Sequence, residues 1–191
     1  MQLWYSERHT QNVKFSIKVD KQLFSGQSDF QRIDVFDSKE FGRFLTLDGY
    51  MMLTEKDEFI YHEMIVHVPM AVHPCAKKVL VIGAGDGGVI RELVQYQQIE
   101  HIDLVEIDEL VVEVCKKYLP QTSCCFGDEL MGIRCHGILQ PHIIGAYRVQ
   151  ALQTGLDGIE FTGIQQDGRA VVACQLGQKT AVVGEALAVA V

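Results

Sequence analysis

Proline, asparagine, tryptophan and positive charge are scarce in this chain. Its 191 residues include four prolines, one tryptophan and 17 Lys and Arg against 25 Asp and Glu, for a formal net charge of −8. A surplus of carboxylates repels phosphates, so we expect neither nucleic acid nor an anionic membrane as a partner. The single asparagine, Asn12, precedes Val-Lys and therefore makes no glycosylation acceptor sequence.

Long apolar runs and paired cysteine motifs are also missing. No stretch approaches the roughly 18 apolar residues of a membrane span, and no basic-then-apolar leader opens the chain. The six cysteines include no Cys-x-x-Cys pair and no zinc-type spacing. His62 and His67 are five positions apart, whereas four would bring both rings to one helix face. We therefore predict a cytoplasmic protein with reduced cysteines and no bound metal.

A glycine-rich turn between a strand pattern and a helix pattern is the most informative part of the sequence. Residues 79–82 form an apolar run of strand type, and a helical apolar pattern resumes at Val89. Between them, Gly83, Gly85 and Gly88 occupy the G-x-G-x-x-G positions of a nucleotide-binding unit.

A second strand pattern, residues 102–105, ends in Glu106, about 20 residues beyond the glycines. A carboxylate at this position can accept hydrogen bonds from both ribose hydroxyls. The combination predicts a nucleotide or nucleoside site, with a purely structural glycine turn as the alternative.

Asp86 lies inside the glycine loop and separates the possible ligands. A dinucleotide places its pyrophosphate at the amino end of the following helix, where a carboxylate would repel it. Asp86 therefore favours a ligand with positive charge near the loop, such as a sulfonium or ammonium group. Asp86 could also cap the helix, and the two roles are compatible.

The flanking segments read as β structure followed by a helix. Apolar and polar residues alternate from Val13 to Val19, and Asp48-Gly49 predicts a hairpin turn. Residues 57–72 read as a helix that Pro74 closes. The apolar residues placed near one face of this helix, together with a histidine, are Phe59, Ile60, Met64, His67 and Val68.

At these motifs the sequence resembles the spermidine synthase family. The matching segments are Gly83–Gly88, Val105–Asp108, Leu3–Tyr5, Phe41–Gly42, Leu47–Gly49 and Thr54–Met64. The resemblance runs from about residue 3 to Leu119-Pro120 and stops after about Ser123.

The resemblance implies an α/β fold with a small N-terminal antiparallel β domain over residues 1–55. A Rossmann-like, S-adenosylmethionine methyltransferase-like doubly wound sheet should follow, and residues 56–123 supply only its first half. We therefore expect this sheet to be incomplete, with an open apolar edge.

Residues 124–191 form a divergent tail. From residue 121 onward the chain holds 10 of the 17 glycines but only 4 of the 17 Lys and Arg. The family's aspartate-rich loop, Asp-Ser-Thr-Asp-Pro or close to it, has no match. We interpret the tail as a change of reading frame near Cys124; a divergent terminal half is the alternative.

Spermidine synthases transfer an aminopropyl group from decarboxylated S-adenosylmethionine to putrescine. The resemblance implies this activity and these two substrates, no cofactor beyond the donor, and a homodimer or homotetramer. The family's catalytic aspartate has no counterpart that we can name, so the catalytic residue is unknown. The Asp-Gly with which the family reads adenine is likewise unplaced, because Asp157-Gly158 and Asp167-Gly168 lack the required preceding strand.

The resemblance also assigns roles to residues that would bind the donor. Glu106 should bind the ribose hydroxyls, Ile107 should flank the adenine, and Gln31 should contact the nucleoside. Asp86 should hold the aminopropyl ammonium, in a loop shaped by Gly83, Gly85 and Gly88.

On the polyamine side, His62 should contact the amine and Tyr61 should pack the aminopropyl chain, with Asp86 shared between the two substrates. Two other functions stay open. One is a catalytically inactive truncated relative that binds nucleoside or pairs with a full-length subunit. The other is an S-adenosylmethionine methyltransferase or a nicotinamide enzyme, against which Asp86 and the Tyr61-His62 pair argue.

We predict that the chain binds methylthioadenosine or decarboxylated S-adenosylmethionine more tightly than NAD. The reason is that Asp86 would repel the pyrophosphate of NAD at the helix terminus. Calorimetric titration with the three ligands measures the difference. Tighter binding of NAD would contradict the prediction.

Overall fold

The computed structural model describes residues 2–129 in full and, beyond them, the backbone of six strands within residues 131–190. Asp157-Gly158 and Asp167-Gly168 lie outside the described residues. Across the described part of the chain, every helix is too short or too polar to traverse a bilayer.

The first third of the chain is built from antiparallel strands. β1 (Leu3–Arg8) and β2 (Lys14–Val19) form a two-stranded sheet. A four-stranded meander contains β3 (Lys21–Gln27), β4 (Arg32–Ser38), β5 (Gly42–Leu47) and β6 (Tyr50–Thr54).

The predicted hairpin turn lies between β5 and β6. Asp48 and Gly49 both have positive φ, 50° and 82°, as a two-residue type I′ turn requires. Of the alternating apolar residues in β2, Ile17 and Val19 are buried, whereas Phe15 is exposed.

The rest of the described chain is an α/β unit. Its helices are α1 (Glu58–Val72), α2 (Gly88–Leu93), α3 (Glu109–Tyr118) and α4 (Pro120–Ser123). Its first strands are β7 (Lys78–Ile82), β8 (His101–Glu106) and β9 (Met131–Cys135). They are followed by β10 (Arg148–Leu152), β11 (Phe161–Gln166), β12 (Arg169–Cys174), β13 (Lys179–Val183) and β14 (Ala186–Ala190).

A five-stranded sheet in the order β13-β14-β7-β8-β9 is the centre of this unit. β14, β7, β8 and β9 are parallel, and β10-β11-β12 form a separate antiparallel sheet. An antiparallel β domain before a parallel α/β sheet is the predicted fold class. On one side of β7 the sheet continues, because β14 pairs there with Ala186 opposite Lys78; on the other side β9 is the last of the described strands.

Helix α1 presents its apolar residues differently from a core helix. The predicted apolar face is the exposed one: Phe59, Ile60, Met64 and Val68 are each at least 46% exposed. The buried face consists of Glu58, His62, Ile65, Val66, Pro69 and Met70. This helix therefore turns two polar side chains inward, towards the glycine loop.

Helix α3 joins the β domain to the α/β unit. Asp108 caps the helix by accepting a hydrogen bond from the N–H of Leu110 at 3.1 Å, and Lys116 and Lys117 in its last turn suit the negative end of the helix dipole. The cluster between the two units consists of Ile33, Val35, Leu45, Leu53, Val111, Val114, Cys115 and Leu119. The two units thus share one hydrophobic core.

We predict that Leu119→Ala lowers the free energy of unfolding by about 2–5 kcal/mol. Leu119 is fully buried in the shared cluster, so the substitution leaves a cavity between the two units. Leu3→Ala is the matched control, because Leu3 is 45% exposed and should cost less than about 0.5 kcal/mol. Urea denaturation of both variants measures this, and equal losses would contradict the shared core.

Candidate functional site

The glycine loop between β7 and α2 turns through left-handed backbone conformations. Gly83, Ala84 and Gly87 have φ values of 83°, 62° and 89°. The N–H of Gly83 donates to the carbonyl of Val105 on β8 at 2.9 Å, so the loop starts at the carboxyl ends of two parallel strands. This is the edge of an open α/β sheet where ligands bind.

Glu106, at the end of β8, holds the loop in place. Its Oε2 accepts from the N–H of Gly85 at 2.9 Å, and its Oε1 accepts from the N–H of Asp108 at 3.0 Å. A Cβ at Gly85 would lie 2.8 Å from Oε2, so glycine is needed here for the carboxylate's close approach. Burial of this carboxylate raises the pKa of Glu106 above its ordinary value.

Gln31 reaches the same network from the β domain. It lies in the loop between β3 and β4, and its Nε2 donates to Oδ2 of Asp108 at 2.9 Å. The hydroxyl of Ser28 donates to the same oxygen at 2.7 Å. The structure therefore brings Gln31 and Glu106 to either side of Asp108.

Asp86 lies at the amino end of α2. Its Oδ1 accepts from the N–H of Gly88 at 2.7 Å and is 3.1 Å from Nε2 of His62. The N-cap position itself belongs to Gly87, so Asp86 satisfies a terminal N–H from one residue further upstream. Among the described residues, none donates a hydrogen bond to Oδ2 of Asp86.

His62 is buried between two carboxylates. Its Nδ1 is 2.5 Å from Oε2 of Glu58, and its Nε2 faces Asp86. Burial, the largest single effect, disfavours the charged imidazole. The hydrogen bonds and charges of Asp86 and Glu58 together outweigh burial and raise the pKa of His62 above its ordinary 6.5.

Arg91 completes this cluster behind Glu58. Its two terminal nitrogens donate to the two carboxylate oxygens of Glu58 at 2.7 and 3.0 Å. Burial would raise the pKa of Glu58, but the hydrogen bonds from Arg91 and His62 outweigh it and lower that pKa below its ordinary 4.5.

Tyr61 and Ile107 flank the two carboxylates of the site. The ring of Tyr61 packs edge-on against His62 with centroids 5.2 Å apart. Burial and the charge of Asp86 raise the pKa of Tyr61 to about 12. Ile107 follows Glu106 and is 51% exposed, so its side chain is free to cover a ligand.

Sequence reasoning missed five residues of this arrangement. Gly87, Ser28 and Asp108 shape or support the loop, and Glu58 and Arg91 support His62. A carboxylate four residues before a histidine is a recognisable helical pair, so Glu58 could have been found. Arg91 on α2 binds Glu58 on α1, and a contact between residues so far apart in the chain leaves no pattern in the local sequence. In residues 2–129, no group of three or more His, Cys, Asp or Glu could hold a metal ion.

Comparison with known proteins places this geometry in a family. The profile of the "Spermine/spermidine synthase domain" matches residues 58–136, and that of the "Spermidine synthase tetramerisation domain" matches residues 3–55. Over these residues, the chain belongs to the spermidine synthase family. The predicted resemblance and fold class are confirmed, but the match continues to residue 136 and does not end near Ser123.

Individual relatives agree with the two profiles. A polyamine aminopropyltransferase of Clostridium botulinum (strain Alaska E43 / Type E3) is 69% identical over 133 residues, which are 70% of this chain and 47% of the relative. One from Alkaliphilus oremlandii is 72% identical over 123 residues, 64% of this chain and 43% of the relative.

Solved structures match over the same span. The crystal structure of spermidine synthase from Thermotoga maritima has a TM-score of 0.68 at 51% identity, covering 70% of this chain and 48% of that one. A spermidine synthase in complex with the transition state analogue AdoDATO also has a TM-score of 0.68 at 51% identity, covering 70% and 46%. The chain thus spans about half the length of the relatives it matches.

We predict that Gly88→Ala destabilises the protein by about 1–3 kcal/mol, the usual cost of overpacking. A Cβ at this position would overlap the imidazole of His62, which is buried and held at both nitrogens. Thermal unfolding measures the loss.

Gly127→Ala is the control, because a Cβ there meets no atom of the described residues within 4 Å. A neutral Gly88→Ala would show that His62 can move away from the loop.

Proposed function

We propose that this chain carries the donor half-site of a spermidine synthase, which transfers an aminopropyl group from decarboxylated S-adenosylmethionine to putrescine. The observation that carries the proposal is the position of Asp86. Its carboxylate lies at the amino end of α2, with Oδ2 not engaged by the described residues. This position suits an ammonium group and opposes a phosphate.

Glu106 supplies the second half of donor recognition. An ionised carboxylate offers about four lone-pair positions, and the N–H groups of Gly85, Ile107 and Asp108 interact with this one. The positions that they leave open can accept ribose hydroxyls of a nucleoside. Ile107 beside this carboxylate would cover the adenine, while Gln31 contacts the nucleoside from the β domain.

The reaction itself requires alignment and deprotonation. The nitrogen of putrescine attacks the methylene carbon next to the sulfonium, the carbon–sulfur bond breaks, and methylthioadenosine leaves. The amine passes its proton to a base. Because the sulfonium already activates the carbon, the proposal needs no cofactor beyond the donor. Tyr61 and His62 would line the path of the aminopropyl chain.

Assembly and location complete the proposal. Residues 3–55 match a domain family named for tetramerisation, which supports self-association of the chain as a homodimer or homotetramer. Cysteines without a pairing pattern support a location in the cytoplasm.

We predict that the 191-residue chain binds the donor but turns it over poorly. Its sequence lacks the Asp-Ser-Thr-Asp-Pro string, and loss of a general base typically costs about 10²- to 10⁴-fold in rate. The measurement is spermidine formation by the chain and by a chimera in which a family-like half carrying the aspartate loop replaces residues 124–191. Comparable rates would contradict the prediction. Failure of both to bind the donor would refute the proposed function.

A further inference from the structure

A continuous row of polar contacts runs behind the glycine loop. It leads from Arg91 on α2 to Glu58 and His62 on α1, and from there to Asp86 at the ligand edge of the sheet. The side chains of Glu58 and His62 are only 6% and 1% exposed. Neither can reach solvent, so each depends on the next group in the row for its hydrogen bonds.

The two partners of His62 determine where its protons are. A neutral imidazole has one donor and one acceptor nitrogen, and its acceptor would face a carboxylate that can only accept. Only the imidazolium donates from both nitrogens. Between Glu58 at 2.5 Å and Asp86 at 3.1 Å, both nitrogens of the ring must therefore carry protons.

The carboxylate of Glu58 cannot rotate away from this arrangement. Arg91 binds both of its oxygens, in the bidentate geometry that fixes a carboxylate most firmly. The imidazole cannot shift either, because the backbone of Gly88 lies against the ring where even one methyl group would overlap it.

We propose that Glu58, held by Arg91, is a positioning residue for the donor's ammonium group. Glu58 orients His62 so that Nε2–H binds Oδ1 of Asp86 and leaves Oδ2 directed to the ligand. This inference rests on the proposed function. It adds that Glu58 and Arg91 act on the ligand only through Asp86.

If Glu58 and Arg91 act only through Asp86, two ligands can distinguish a positioning role from general stabilisation of the fold. Decarboxylated S-adenosylmethionine carries the aminopropyl ammonium, whereas methylthioadenosine keeps the nucleoside but lacks the aminopropyl group and the sulfonium charge. A change that acts through Asp86 weakens only the first ligand. A change that merely loosens the fold weakens both.

The experiment compares the two ligands on Glu58→Ala and Glu92→Ala by calorimetry, each beside the unsubstituted chain. Glu92 is the matched control because it is also buried and binds Arg91, at 2.8 Å, yet has no contact with His62 among the described residues. Glu58→Ala should lower the donor affinity roughly 10-fold and change methylthioadenosine affinity by less than about two-fold. Glu92→Ala should leave both affinities unchanged.

Equal weakening of both ligands by Glu58→Ala, or weakening of neither, overturns the proposal. Glu58→Gln is the conservative variant. Its amide can donate to Nδ1 while its oxygen accepts from Nη1 of Arg91; the bond from Nη2 of Arg91 is lost, but Nε2–H stays directed to Asp86, so the variant should retain more donor affinity than Glu58→Ala. Loss of donor affinity as large as that of Glu58→Ala would also count against positioning.

A measurement on the unsubstituted chain covers the case in which Glu58→Ala does not fold. Nitrogen-15 NMR of the histidine rings at pH 7.5 should show both nitrogens of His62 protonated, and only Nε2 protonated in Glu58→Gln. An unprotonated Nε2 in the unsubstituted chain would overturn the proposal. Because this spectrum needs no ligand, it tests the orientation and protonation of His62 separately from donor binding, so its failure is distinguishable from failure of the proposed function.

Discussion

The hydrogen bonds of the buried Glu106 carboxylate hold the candidate site together. One oxygen holds Gly85 in the glycine loop, and the other holds the backbone of Asp108 at the start of α3. The loop, the end of β8 and the start of the next helix are thus fixed by one side chain. Removing a carboxylate from water is costly, and the backbone N–H groups that donate to it offset part of that cost. A nucleoside would find this acceptor already oriented.

The short span of the residues involved explains why a chain about half as long as its relatives still contains the candidate site. The residues assigned to the donor come from β7, β8, their following turns and the loop before β4, all within residues 31–107. The parallel sheet brings the ends of β7 and β8 side by side, so the residues proposed for the donor come from these two strands, the turns after them and the β domain packed on α3. Only the catalytic base has no residue assigned to it within this span.

Local patterns allowed much of the fold to be predicted. Alternation and the Asp48-Gly49 turn predicted the strands of the β domain, and the glycine spacing predicted the loop between β7 and α2. Periodicity failed for α1, where the apolar stripe is exposed and the buried face carries Glu58 and His62. A hydrophobic pattern cannot show that a helix must turn polar groups inward to meet a partner such as Arg91, which lies 33 residues further along the chain. The strand beside β7 was missed for a similar reason, because β14 pairs there from more than 100 residues away.

The two carboxylate oxygens of Asp108 couple the start of helix α3 to the contact between the two units. Oδ1 starts helix α3, while Oδ2 binds Ser28 and Gln31 of the β domain. A single carboxyl group therefore caps the first turn of α3 and also bonds the β domain to the α/β unit. Any change at this position alters the helix, the domain junction and the backbone next to the proposed nucleoside site together. Changes at Ser28 or Gln31, by contrast, would weaken the polar part of the junction and leave the start of α3 and the hydrophobic cluster between the two units in place.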